Sequence, residues 1–263
     1  MDLGLHNARV LVAASSRGLG RAAARQFGLE GARVVINGRD AAELGGTAAA
    51  LSQETGAEYF AVAGDVSDAA ACKHVVDAAA THLGGLDILV TNAGGPSGGT
   101  FESVPLDAWE DAFQLTLMSA VRLVHAALPY LRQSDRAAIL TISSISVKQP
   151  IPGLILSNSV RMGIAGLTKS LAAELGPEGI RVNSVLPGWT LTERVNELME
   201  ARARRESLSV EEAIKRQAAE AALGRMGKPE EFGAVAVFLC SPAAGFVHGA
   251  MIPVDGGTIR ATL

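Results

Sequence analysis

The sequence predicts an α/β protein built on a doubly wound parallel sheet, and three observations carry the prediction. First, short continuous apolar runs recur along the chain, at Val10–Val12, Ala32–Ile36, Leu86–Val90, Ala137–Ile142 and Ile180–Leu186. Such runs fit strands that are buried on both faces. Second, most of these runs are followed by small or turn-forming residues and then by a stretch of helix formers, the order of a strand–turn–helix unit. Third, the chain has 263 residues, 48% of them hydrophobic, with 29 glycines available for the turns. That is enough to bury a full core, and one α/β domain spanning 1–263 is expected.

The elements follow in order. The stretch Ala8–Gly28 organises the rest: strand Val10–Val12, a turn Ser15-Ser16-Arg17-Gly18-Leu19-Gly20, and a helix from Arg21 to Phe27. A strand, a small-residue turn and a helix N-terminus together form a site for phosphate, because free backbone N–H groups and the helix dipole favour negative charge there. Gly18 and Gly20 are read as leaving room for a ligand to approach the backbone. Strand Ala32–Ile36 is followed by a helix from Asp40 to Thr55, strand Glu58–Ala63, a helix from Ser67 to Leu83 and strand Leu86–Val90. The Gly/Pro/Ser run from Gly94 to Gly99 is a loop. Asp107 and Glu110 are read as a capping box opening a helix toward Tyr130, and Ser209 and Glu212 as a second box. A helix Pro229–Cys240 and a strand Gly249–Val254 close the fold.

Composition excludes several functions. The net charge is −4 and no long basic block is present, which argues against nucleic acid or an anionic membrane as the main partner. No segment reaches the roughly 20 apolar residues of a membrane span. The N-terminus lacks the basic and apolar regions of a signal peptide. A soluble cytoplasmic protein is expected. The two cysteines, Cys72 and Cys240, read as buried free thiols, and no metal-ligand spacing occurs.

The motifs resemble those of the classical short-chain dehydrogenases/reductases, and the resemblance covers essentially the whole chain. The first turn is similar to the family's G-x-x-x-G-x-G, with Ala14 in place of the first glycine and Gly18 and Gly20 in the others. Thr91-Asn92-Ala93-Gly94 resembles the family's N-N-A-G, and Gly166–Ala172, Ile180-Arg181-Val182-Asn183 and Pro187-Gly188 follow in register. The nearest branch is that of the 3-oxoacyl-acyl-carrier-protein reductases. The resemblance implies a Rossmann-type sheet of about seven strands in the order 3-2-1-4-5-6-7, a three-layer sandwich, with a dinucleotide across the switch point. It places Ala14, Ser16, Arg17, Gly18, Leu19 and Gly20 at the pyrophosphate turn and Asp65 and Val66 beside the adenine. Asn92 would bond backbone across the sheet, and Ala93 and Gly94 would let the cofactor lie close. Pro187, Gly188, Thr190 and Thr192 would cover the nicotinamide. Residues 190–226 would form a substrate-side helical lid, and the last helix and strand would bury a subunit contact in a homo-oligomer, a tetramer or dimer. After the second strand the sequence Asn37-Gly38-Arg39 offers no acid for a ribose 2′-hydroxyl. Arg39, with Arg17, therefore points to the 2′-phosphate of NADP.

The catalytic positions depart from the family. Ser144 stands at the family's Ser, but Ser157 and Arg161 replace the Tyr and Lys of Y-x-x-x-K. Thr116 replaces the Asn that holds a water in the proton relay, and its hydroxyl can still bind water. A phenol titrates near 10 before its neighbours lower it, whereas an aliphatic hydroxyl is a far weaker acid. Arg161 can bond ribose hydroxyls and add positive charge but cannot relay a proton. Lys148 is a candidate stand-in acid from its place in the following loop. Two readings follow. One is an NADP-dependent oxidoreductase acting on a ketone or secondary alcohol, with a 3-oxoacyl thioester as one substrate. The other is an NADP-binding protein without turnover, acting as a sensor or partner subunit.

Overall fold

In the computed structural model, which describes residues 2–262, seven parallel strands lie in the order β3-β2-β1-β4-β5-β6-β7. They are β1 Arg9–Val12, β2 Arg33–Gly38, β3 Tyr59–Ala63, β4 Ile88–Thr91, β5 Ala138–Ile142, β6 Arg181–Pro187 and β7 Met251–Val254. Both the strand count and the order match the sequence expectation. The apolar runs are continuous because each strand feeds two cores. Val10, Val12, Val34, Ile36 and Val90 pack on one face against Phe27, Leu44, Leu51 and Phe232. Leu11, Val35, Leu89 and Ile139 pack on the other, against Val75, Leu83, Leu123 and Leu175. This alternation follows from the two-residue period of a strand.

The helices form the outer layers. They are α1 Gly18–Leu29, α2 Ala41–Thr55, α3 Ala69–Leu83, α4 Leu106–Phe113, α5 Ser119–Leu131, α6 Ile155–Leu175, α7 Glu193–Glu206, α8 Val210–Ala218 and α9 Pro229–Cys240. Side chains cap several of them: Asp40 accepts from Ala42 and Glu43 N–H, and Asp68 from Ala71 N–H. The Asp107–Glu110 capping box does not form. Pro105 precedes the first turn, so α4 starts two residues earlier than a cap at Asp107 requires, and Asp107 accepts only from Ala108 N–H. The helix running toward Tyr130 is also divided, by a wide π-helical turn at Gln114–Met118. Of the second box only half is present: Ser209 accepts from Glu212 N–H, while the Glu212 carboxylate faces Arg216 at 3.6 Å.

Two polar features hold the strand ends. Asp87, 2% exposed, precedes β4 and accepts from the Arg9 backbone N–H at 2.9 Å, from the Arg9 guanidinium and from Ser134 Oγ at 2.8 Å. Burial alone would raise its pKa, but the hydrogen bonds from Arg9 and Ser134 together outweigh burial and hold the carboxyl below its ordinary value. Asn37, fully enclosed at the end of β2, accepts from Ala14 N–H at 3.1 Å and donates to the carbonyls of Val62 and Gly64 at 3.1 and 3.0 Å. Its side chain thus ties three strand ends together instead of facing a ribose. Cys72 and Cys240 are buried free thiols, which burial pushes up to about 11 and about 12. Among the described residues no helix is long and apolar enough to cross a membrane, and no cluster of metal-ligating side chains occurs.

Candidate active site

The strand order reverses between β1 and β4, and the chain leaves a cleft of about 1250 Å³ at the carboxyl ends of the strands. This is where an open α/β sheet receives a ligand. One end of the cleft is formed by the first turn. Arg17 supplies no side-chain cap to α1 and no acid stands in its first turn, so the leading N–H groups are free for an anion. Gly18 has φ +60 and faces the cleft, with the Thr192 side chain and a Glu193 carboxylate oxygen 3.9 Å from where its Cβ would lie.

Ala14 takes φ +44, a left-handed conformation that an L side chain resists. It is held there from both sides, by the bond from its N–H to Asn37 and by Asn92 Nδ2, which donates to its carbonyl at 2.9 Å. The Asn92 bond is the one expected across the sheet. The left-handed alanine costs about 1–2 kcal/mol, partly offset by the lower chain entropy it gives the unfolded state. Ala14→Gly should therefore stabilise the fold by about 0.5–1 kcal/mol, read as a higher midpoint in denaturant unfolding. No gain would mean that the turn is not strained.

Gly20 differs from the expectation. A Cβ there would lie 2.4 Å from the Ala14 carbonyl and 2.8 Å from Asn92 Nδ2, and Gly20 does not line the cleft. Its missing side chain lets α1 seat against the turn and leaves no ligand space. Gly94 is the reverse case. A Cβ on it would meet nothing within 4 Å, so the space beside it belongs to the cleft.

Ser16, Leu19, Arg39, Asp65, Val66 and Ala93 also line the cleft. Arg17 and Arg39 make no side-chain hydrogen bond or ion pair among the described residues; every other cleft arginine makes at least one. Asp65 accepts from Ser67 N–H and Oγ at 2.9 and 2.8 Å. Burial opposes its ionisation, but these bonds and the Arg39 charge hold its pKa below the ordinary value. Pro187, Gly188, Thr190 and Thr192 line the opposite wall. Thr192 Oγ1 caps α7 by accepting from Val195 N–H, which leaves its own proton free.

The other end of the cleft gathers Ser144, Ser157 and Arg161. Ser144 follows β5, and its Oγ accepts from Ser146 N–H at 3.1 Å, so the Ser144 hydroxyl proton is free to donate into the cleft. Ser157 and Arg161 lie one turn apart on α6, and Arg161 Nε donates to Ser157 Oγ at 3.2 Å. Ser146 Oγ lies 3.4 Å from Ser157 Oγ. The remaining Arg161 contact is to the Ile142 carbonyl at 3.5 Å, and burial pushes its guanidinium down to about 10.

Two of the expected groups are elsewhere. Thr116 does not face the cleft. It sits on the π-helical turn behind Arg161, where its Oγ1 is buried without a partner beside a small hollow of about 10 Å³, room for about one water. Lys148 is exposed and does not line the cleft, because the short helical turn after Ser144 carries it outward. Tyr59 and Tyr130 are engaged away from the cleft, with the Ala24 carbonyl and Asp77. Among the described residues no His, Cys, Lys or Tyr lines the cleft.

Sequence reasoning missed the contribution of α7. Glu193, Arg194, Glu197 and Leu198 line the cleft, and Arg194 Nη2 crosses it to donate to the Pro96 carbonyl at 3.0 Å. Local sequence carries no signal for that contact, since the two residues are 98 apart. Trp189, Ile151 and Leu154 add an apolar lining.

The family profile described as Enoyl-(Acyl carrier protein) reductase matches residues 13–258. D-beta-hydroxybutyrate dehydrogenase of Cupriavidus necator is 34% identical over 97% of this chain and 99% of its own. L-sorbose reductase of Gluconobacter frateurii, solved with NADPH and L-sorbose, superposes with a TM-score of 0.94 at 31% identity, over 99% of this chain and all of that one. A short chain oxidoreductase of Pseudomonas aeruginosa PAO1 containing an atypical catalytic center, solved with NADPH, superposes at 0.88 with 32% identity, over 98% and 100% of the two chains. The chain belongs to the short-chain dehydrogenase/reductase family.

Proposed function

We propose that this protein is an NADP(H)-dependent oxidoreductase that interconverts a carbonyl compound and its alcohol. The observation that carries the reading is one continuous cleft joining two unengaged arginines, Arg17 and Arg39, to the Ser144–Ser157–Arg161 group. The relatives solved with NADPH, one of them with a sugar substrate, support the cofactor and favour turnover over a purely binding role. The free N–H groups of α1, the open space beside Gly94 and the two arginines fit a dinucleotide phosphate. In this reading Ala14, Ser16, Gly18 and Leu19 hold the pyrophosphate, and Asp65 and Val66 border the adenine. Asn92, Ala93 and Gly94 border the ribose, and Pro187, Gly188, Thr190 and Thr192 cover the nicotinamide.

The bound cofactor supplies or accepts hydride. The chain does the rest. The Ser144 hydroxyl donates a hydrogen bond to the carbonyl oxygen and polarises it. The Arg161 guanidinium holds Ser157 Oγ and places a fixed positive charge at the oxygen where negative charge develops. Among the described residues no His, Cys, Lys or Tyr lines the cleft to give a proton, and water entering the cleft supplies it. Residues 190–226 act as a lid through α7 and α8. The exposed Phe238 on α9 and Phe246 just after it support a homo-oligomeric contact. A 3-oxoacyl thioester belongs to the substrate class.

The cofactor assignment is tested by fluorescence titration with NADPH and NADH. Arg39→Ala should weaken NADPH binding about 10- to 100-fold, the loss of one charge-assisted contact of about 1.5–3 kcal/mol, while NADH binding changes less than about twofold. Equal losses for the two nucleotides would remove Arg39 from the 2′-phosphate.

A further inference from the structure

We propose that the reacting end of the cleft takes a substrate that carries its own carboxylate on the reacting carbon or one carbon away, an oxo acid or the matching hydroxy acid. The inference rests on the oxidoreductase reading above and narrows its substrate class.

The argument begins with charge. Arg161 faces the cleft from α6, and its side-chain partners are both neutral: Ser157 Oγ at 3.2 Å and the Ile142 carbonyl at 3.5 Å. Burial lowers its pKa, and among the described residues no carboxylate forms an ion pair with it. Among the described residues none of the acids that line the cleft pairs with Arg161. Asp40 caps α2, with Glu43 in the same first turn, and Asp65 is held by Ser67. Glu197 faces Arg194, and Asp111 and Glu193 stand on α4 and α7. A desolvated cation without a counter-charge is costly, and proteins pair such groups.

An unused hydrogen-bond donor lines the same cleft: the Ser144 proton is free. A carboxylate accepts about four hydrogen bonds and pairs well with a guanidinium. It would satisfy Arg161 in the ground state, while the neighbouring carbonyl oxygen receives Ser144. A neutral ketone leaves the cation unpaired until charge develops in the transition state. The reaction balances without any further reagent. The carbonyl carbon gains a hydride from reduced nicotinamide, the carbonyl oxygen gains a proton from water, and the carboxylate is unchanged.

The experiment uses the purified full chain. NADPH titration comes first, and absence of binding removes the oxidoreductase reading itself. With NADPH bound, pyruvate is compared with ethyl pyruvate and acetoacetate with ethyl acetoacetate. Propionate and propionamide are titrated as non-reducible probes against the fluorescence of the bound cofactor. The expected result is at least a tenfold higher kcat/KM for an acid than for its ester, and propionate binding at least tenfold tighter than propionamide. Arg161→Gln should abolish the difference and Arg161→Lys should restore part of it, with both variants matching the parent in circular dichroism. An ester reduced as well as its acid would overturn the inference. So would propionate binding no tighter than propionamide, whether or not either pair is reduced.

Discussion

Exchanging Ser144 for alanine should lower kcat for carbonyl reduction by about 100- to 1,000-fold while NADPH affinity stays within about twofold, the size of effect seen when one preorganised donor to a developing oxyanion is removed. The reason lies in how the hydroxyl is held. Ser146 N–H donates to Ser144 Oγ and fixes the oxygen, so its own proton is free to donate into the cleft. Among the described residues no phenol or ammonium lines the cleft to take over that contact. Single-turnover oxidation of bound NADPH, followed by absorbance with a reducible ketone or oxo acid, measures the step directly. A kcat within about threefold of the parent would mean that another group polarises the carbonyl.

The largest effect on stability is expected at Asp87. Asp87→Ala should cost about 3–5 kcal/mol, because it leaves the Arg9 guanidinium without its buried partner. Ser134→Ala, which removes one neutral donor from the same carboxylate, should cost only about 1 kcal/mol. Urea unfolding at neutral pH measures both, and an equal loss in the two variants would show that the ion pair is not what holds this corner. The pH dependence has a definite sign. The folded pKa of Asp87 lies below the unfolded value of about 3.9, so its stabilisation is complete above that value and is lost as pH falls through the folded pKa. Asp87→Asn should therefore flatten the acid limb of the stability curve below about pH 4. It should leave the neutral-to-alkaline limb unchanged in shape.

The sheet was readable from sequence because its strands are buried on both faces, so that runs such as Val10–Val12 and Ile180–Leu186 stand out without alternation. The Ser157–Arg161 exchange was readable because both residues sit on one helix at a fixed spacing. What escaped depends on contacts between distant segments. Asn37 looks like a strand-ending turn residue, yet its side chain joins β1, β2 and β3, and that needs all three strands in place. Gly20 looks like ligand space because a glycine signal says only that a Cβ is absent. The Ala14 carbonyl and Asn92 are what fill that space. The capping box at Asp107 failed because a pattern of side chains does not reveal that Pro105 has already set the start of the helix. Arg194 reaches Pro96 only once α7 is packed beside the cleft.

The α7–α8 segment carries its own apolar centre. Met199, Ala203, Ala213 and Met226 are buried together, with Trp189 and Leu198 against them, and this group is separate from the two cores that sandwich the sheet. A helical pair with its own small core is expected to open as one unit, apart from the sheet. Amide hydrogens of α7 and α8 should then exchange with deuterium together and well before those of the sheet. The same independence makes the flap exchangeable. Descendants of this chain can redraw what the cleft accepts through Glu193, Arg194, Glu197 and Leu198 while the strands beneath keep their register.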